Sequence, residues 1–196
     1  MLHVGITGGI GSGKSTIARI FRILGIPIYN ADTKAKWLMA HNPQLKESIV
    51  NAFGEDSFVG NSLNRIYLAE RVFNDKKLVS ELNSLVHPQV AVDFERWCTE
   101  QKADYIIKEA ALLIETGSSS DLDYMILVTA PEKLRIDRIK NRDPQRSLEQ
   151  IKNIMQNQIN VEDAKATANF IIENDESQLV TPQVISIHKQ LIVKGR

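Results

Sequence analysis

The stretch Gly8-Gly9-Ile10-Gly11-Ser12-Gly13-Lys14-Ser15 restricts the fold more than any other part of the chain. It follows a short apolar run, Leu2 to Thr7, and precedes a segment whose apolar residues, Ile17, Ile20, Phe21 and Leu24, fall at helical spacing. Strand, glycine loop, helix is the order required of a loop that cradles phosphate. Glycines let backbone N–H groups turn inward where a Cβ would clash. A helix beginning at Lys14 points its positive dipole end at the same spot. Lys14 then supplies a mobile charge for β- and γ-phosphates, and the Ser15 hydroxyl is placed for Mg²⁺. The residues Gly9 to Thr16 are therefore the candidate nucleotide contacts.

Beyond the loop, Gly25 closes the first helix, Ile26-Pro27-Ile28-Tyr29 reads as a second strand, and a helix begins near Ala31 or Asp32. From about 42 to 102 the pattern is helical (Pro43–Phe53, Leu68–Phe73, Lys76–Val86, Pro88–Thr99), with a polar break over Gly54–Asn64 and no strand alternation. His87-Pro88 reads as a junction between two helices, with Pro88 at the first helical position. Continuous apolar runs return at Tyr105-Ile106-Ile107 and Tyr124-Met125-Ile126-Leu127-Val128, as suits strands covered on both faces. A charged helical section from Pro131 to about Lys165 precedes a last strand, Asn169–Glu173, and an amphipathic C-terminal helix. The expectation is an α/β fold, a parallel five-stranded sheet flanked by helices. The division expected is a core of 1–40 with 103–196, a helical insertion over 41–102, and a lid over 131–165. Gly117-Ser118-Ser119-Ser120 reads as a short loop.

Composition narrows the partners. Basic and acidic residues balance at 24 each, which argues against a diffuse basic field for nucleic acid or an anionic membrane. The single cysteine, Cys98, excludes a disulfide framework and a cysteine zinc site. Its setting, Phe94-Glu95-Arg96-Trp97-Cys98, reads as one face of a helix. No apolar run approaches the roughly 20 residues of a membrane span, and the loop begins too early to leave room for a signal peptide. These features point to a cytoplasmic protein.

Several residues outside the loop carry candidate chemistry. Asp32 follows the second strand, where ligands of such sheets gather; it is either a base for an acceptor hydroxyl or a helix N-cap. Arg138 and Arg142 stand at i, i+4 on one helix face. They form either a lid that neutralises phosphate charge or a solvated face paired with Asp137, Asp143 and Glu149. Glu109, at a strand end, is a candidate for holding magnesium through water, and Glu115 is a weaker one. Guanine-specific Asn-Lys-x-Asp and Asp-x-x-Gly elements are missing, which disfavours a GTPase. The residues alone leave open a small-molecule kinase of unspecified acceptor and a nucleotide-binding regulatory module.

The spelling of these segments resembles the dephospho-coenzyme A kinase family. The resemblance runs nearly end to end. It includes Gly5-Ile6-Thr7-Gly8-Gly9-Ile10-Gly11-Ser12-Gly13-Lys14-Ser15, Asn30-Ala31-Asp32, Leu82-Asn83, His87-Pro88 and Leu112-Leu113-Ile114-Glu115. It continues through Arg138…Arg142-Asp143, Gln158 and Phe170-Ile171-Ile172-Glu173-Asn174. It implies ATP and Mg²⁺ as co-substrates, with phosphorylation of the ribose 3′-hydroxyl of dephospho-coenzyme A. Asp32 would then be the catalytic base, with Lys14 and Arg142 on the ATP phosphates, Arg138 beside them and Asn174 near the adenine. Thr7, Arg65 and His87 would lie on the acceptor side, and a monomer or small homo-oligomer is expected. Asn30 replaces the family's first Asp, Lys36 stands where many members have Arg, and Glu109-Ala110-Ala111 replaces Asp-x-Pro.

Overall fold

A computed structural model describes residues 1–72, 75–114, 117 and 120–195, and the chain divides into two units. Phe73, Glu115, Ser118 and Ser119, all part of the expectations above, lie outside the described residues. Met1–Asn30 contributes β1 (Leu2–Thr7), α1 (Lys14–Ile23) and β2 (Ile28–Asn30) to the first unit. Ala31–Glu100 forms the second: α2 (Ala31–His41), α3 (Pro43–Phe53), β3 (Phe58–Val59), β4 (Ser62–Leu63), α4 (Arg65–Val72) and α5 (Lys76–Thr99). The chain then returns to the first unit through β5 (Tyr105–Glu109), β6 (Tyr124–Thr129), α6 (Glu132–Arg142), α7 (Leu148–Gln156), α8 (Val161–Thr167), β7 (Phe170–Glu173) and α9 (Val180–Gly195).

In the first unit, the described strands form one five-stranded sheet, β2-β5-β1-β6-β7, with every neighbouring pair parallel. Its inner strands are the uninterrupted apolar runs, as a sheet covered on both faces requires. On one face Val4, Ile6, Tyr105, Ile107, Ile126, Val128 and Ile172 meet Ile17, Ala18 and Phe21 of α1 and Val184, Ile187 and Leu191 of α9. Those helical positions recur at three- and four-residue intervals, so each helix presents one apolar stripe to the sheet. The central strand β1 runs between β5 and β6 and delivers its carboxyl end to the glycine loop.

The second unit is helical with one small exception. α2 packs against α3 and α5, so this unit begins at Ala31, earlier than a boundary at 41. Lys34 and Arg96 both pair with Asp93, at 3.2 and 2.9 Å, and so neutralise a carboxylate that is only 4% exposed. Within the supposed polar break, Phe58 and Val59 pair antiparallel with Leu63 and Ser62. Two-residue strands are too short to display alternation, so no strand signal is legible there. The helix junction at His87-Pro88 is also corrected: α5 runs unbroken from Lys76 to Thr99 with Pro88 inside it. A proline there costs about 3 kcal/mol and leaves the Ser84 carbonyl without its helical donor. Burial of Val86, Val90, Phe94 and Cys98, every fourth residue across the proline, favours continuing the helix. None of the described helices is long and apolar enough to cross a membrane.

At the amino end of β5, the buried Tyr105 phenol is hydrogen-bonded to Nδ1 of His188 on α9 at 2.7 Å. Burial pushes the tyrosine pKa up, so the phenol stays protonated. Burial also lowers the His188 pKa, against the opposing pull of Asp104. The unfolded chain therefore binds this proton more readily, and the contribution to stability is complete above the unfolded value near 6.5. It is lost as pH falls below that. Thermal unfolding between pH 7.5 and 5 is expected to lose stability more steeply in the wild type than in His188→Gln; equal slopes would contradict this.

Candidate active site

The glycine loop occupies Gly8 to Gly13, between the end of β1 and the start of α1. Gly13 and Gly11 show why the loop needs glycine. Gly13 caps α1 at φ 97°, and a Cβ there would strike the Asn174 amide. Gly11 has φ 80°, and a Cβ there would sit 2.6 Å from the Arg135 carbonyl oxygen. α1 carries no side-chain cap and no acidic residue in its first turn. Its positive dipole end is thus left for an anion. Lys14 folds back over the loop, where its Nζ donates to the Gly8 carbonyl at 2.7 Å and to that of Gly9 at 3.3 Å.

Side chains from α6 and beyond fix the loop from outside. Arg135, 9% exposed, donates through Nε to the Ile10 carbonyl at 2.9 Å. Gln158 Oε1 accepts from the Ile10 N–H at 2.8 Å and from Arg135 Nη2 at 3.4 Å. Burial lowers the Arg135 pKa and nearby Glu132 raises it. A second chain of bonds runs from Arg138 Nη2 to the Asn174 carbonyl (3.1 Å) and from Asn174 Nδ2 to the Ser12 carbonyl (2.8 Å). Arg138 also pairs with Glu176 at 3.0 Å, rather than with the nearer-in-sequence Asp137.

Two buried polar atoms here, Ser12 Oγ and Arg138 Nη1, have no hydrogen-bond partner. Buried donors left in this state cost on the order of 1–3 kcal/mol each. A hydroxyl within the loop and a guanidinium nitrogen beside it suit the oxygens of a nucleotide. Beside the loop, a cavity of about 620 Å³ is bordered by Thr7, Gly9, Arg135, Met155, Gln158 and Ala164 among others.

Glu109 closes the third side. It ends β5, is 5% exposed, and accepts from the Ser15 hydroxyl at 2.8 Å and from the Asn30 amide. Among the described residues no cluster of three or more His, Cys, Asp or Glu is arranged to hold a metal ion. A hydroxyl with a carboxylate behind it fits Mg²⁺, which takes few protein ligands and completes its shell with phosphate and water.

The first unit thus brings together Thr7, the loop residues Gly9 to Gly13, Lys14, Ser15 and Thr16 in the first turn of α1, Arg138 and Asn174. Arg142, the last residue of α6, is exposed and bonds Asp143 at 2.8 Å. That hydrogen bond holds the Asp143 carboxyl below its ordinary pKa. Asp32, Arg65 and His87 belong to the helical unit. Asp32 lies inside the first turn of α2, so it is not an N-cap, and it is exposed. Arg65 opens α4 and is exposed, while His87 is half-buried on α5. Sequence reasoning missed Arg135. Its signal was present, because it precedes Arg138 by one turn on the same helix face.

A glycine loop held this way, between the central strand of a parallel sheet and the first helix, defines the class: a P-loop kinase. The sequence pattern of the family described as dephospho-CoA kinase matches residues 2–179. The chain belongs to the dephospho-CoA kinase family. It is 39% identical to the dephospho-CoA kinase of Porphyromonas gingivalis, across 95% of this chain and 93% of that one. Among solved structures, a protein of Thermus thermophilus superposes with a TM-score of 0.84 at 30% identity, covering 98% of this chain and 97% of its own. Dephospho-CoA kinase from Campylobacter jejuni superposes with a TM-score of 0.70 at 27% identity, covering 99% and 98%.

Proposed function

We propose that this enzyme transfers the γ-phosphoryl group of ATP to the ribose 3′-hydroxyl of dephospho-coenzyme A, releasing coenzyme A and ADP. The observation that carries the reading is the phosphate loop, with its uncapped helix end and unpartnered Ser12 and Arg138 atoms, in a chain of this family. In the transfer, a bond forms between the 3′-oxygen and the γ-phosphorus while the bond from that phosphorus to the β–γ bridging oxygen breaks. The hydroxyl proton passes to the Asp32 carboxylate, and ADP leaves. Such transition states are loose, so positioning and charge neutralisation dominate.

The loop Gly9 to Gly13 wraps the phosphates, with the Ile10 N–H held by Gln158 and that of Ser12 by the Gly9 carbonyl, Lys14 follows the charge on the β- and γ-oxygens, and Thr16 lies in the same helical turn. Ser15 binds Mg²⁺, which when present neutralises phosphate charge. Arg138 lies beside the ATP phosphates and Asn174 near the adenine, and Thr7, Arg65 and His87 serve the acceptor. The section 131–165 acts as the lid and 41–102 as the acceptor region. We place the reaction in the cytoplasm, carried out by a monomer or small homo-oligomer without nucleic acid or membrane.

Arg142 approaches the phosphates by exchanging its bond to Asp143. Arg142→Ala is accordingly expected to raise the KM for ATP by roughly tenfold, the scale of one charged hydrogen bond, with the acceptor KM little changed. An isolated rise in acceptor KM would contradict the assignment. The activity itself is tested by incubating the protein with Mg-ATP and a panel of acceptors (dephospho-coenzyme A, nucleoside monophosphates, shikimate and sugars) and identifying phosphorylated products by mass. Product from dephospho-coenzyme A alone supports the proposal; product from another acceptor alone refutes it.

A further inference from the structure

We infer that Asn30 is a positioning residue for the metal-binding hydroxyl of Ser15, acting through Glu109. The inference rests on the reading of Ser15 as the Mg²⁺ ligand and not on the identity of the acceptor. Three elements of the first unit meet here. The parallel register of β2 and β5 sets Asn30 opposite Glu109, and that of β5 and β1 sets Ile6 beside it. The strand ends thereby carry the carboxylate to the first turn of α1. Glu109 is buried, and its two oxygens are divided between two donors: Oε1 takes the Ser15 hydroxyl at 2.8 Å, and Oε2 takes the Asn30 amide.

A buried carboxylate needs donors on its oxygens. The division also sets its orientation. The terminal torsion of a glutamate is broad, so one donor alone leaves the carboxylate plane free to turn. With the Asn30 amide holding one oxygen, the other faces Ser15 and fixes the direction of its hydroxyl. The element of Asn30 that matters is its N–H. An aspartate has nearly the same shape but offers an acceptor, and opposite Glu109, one methylene longer than an aspartate at that place, would set two carboxylates against each other. Repulsion would turn Glu109 away and release the hydroxyl. An alanine removes the donor without adding charge. Asn30 touches neither nucleotide nor metal in this scheme; it acts only through the residue behind the hydroxyl.

The test is ATP binding by titration calorimetry, with Mg²⁺ and with EDTA, for the wild type, Asn30→Asp and Asn30→Ala, with melting temperatures as a control on folding. In Asn30→Asp, affinity in Mg²⁺ is expected to fall by about 10-fold or more, the scale seen when a group behind a metal ligand is lost. Metal-free ATP binding should stay near the wild-type value, and Asn30→Ala should fall in the same direction by less. Should the acidic variant fail to fold, Asn30→Ala carries the test. Equal losses with and without Mg²⁺ would overturn the inference, since they would mean that Asn30 supports the whole loop. Unchanged binding in Mg²⁺ would overturn it as well. A wild type whose ATP affinity ignores Mg²⁺ would refute the Ser15 reading and the inference with it. Intact Mg-ATP binding without transfer to dephospho-coenzyme A would refute only the proposed acceptor and leaves the inference to the variants.

Discussion

Replacing Lys14 with alanine is expected to lower kcat by roughly a hundredfold or more, the cost of losing a charge-stabilising donor in a transition state. The side chain already lies over the phosphate loop, bonded to the Gly8 and Gly9 carbonyls. In the proposed reaction a bound nucleotide would take over that contact, with the ammonium on the β- and γ-oxygens. Charge accumulates on those oxygens as the phosphoryl group departs, and an alanine leaves the increase unanswered. Folding should survive, because the loop is held independently by Arg135, Gln158 and Asn174. The check is steady-state turnover with a melting temperature beside it. A folded variant within a few-fold of wild-type kcat would contradict the role, and so would a defect confined to KM.

Asp32→Asn is the second large effect. Asparagine keeps the shape and removes the proton acceptor, so kcat should fall by about 100-fold or more, within the range for a positioned general base. The structural cost is small. Asp32 is exposed in the first turn of α2, where exchanging a carboxylate for an amide forfeits about 0.3–1 kcal/mol of interaction with the helix dipole. Turnover and stability are therefore separable at this position. Near wild-type turnover in a folded Asp32→Asn protein would remove Asp32 from the mechanism.

The features legible in the sequence were those set by local pattern. The glycine loop is spelled by neighbours, and Ile17 with Phe21 announces the helix after it. The long apolar runs of β5 and β6 suit strands covered on both sides. Where structure depended on distant partners, the pattern was silent. Glu109 takes its donors from Ser15 and Asn30, on other elements far along the chain, so its strand-end place made it a magnesium candidate without disclosing those partners. Arg135 was passed over although it shares a helix face with Arg138, because its burial against Ile10 depends on a loop far away in the chain. Asn174 had no local signature, and only the family resemblance pointed to it. Its bond to Ser12 accounts for its place beside the loop. The Phe58–Leu63 hairpin and the unbroken α5 were hidden for opposite reasons: one was too short to show a period, and the other contained a residue that normally ends one.

The central claim is that the phosphate held by this loop passes to one hydroxyl of one acceptor. Its most direct test is to locate the phosphate in the product of a reaction with Mg-ATP and dephospho-coenzyme A, using phosphorus–proton correlated NMR. The account predicts a monoester on the ribose 3′-oxygen, formed in equal amount to ADP and absent in Lys14→Ala. ADP appearing with free inorganic phosphate, or a phosphate on any other oxygen, would contradict it.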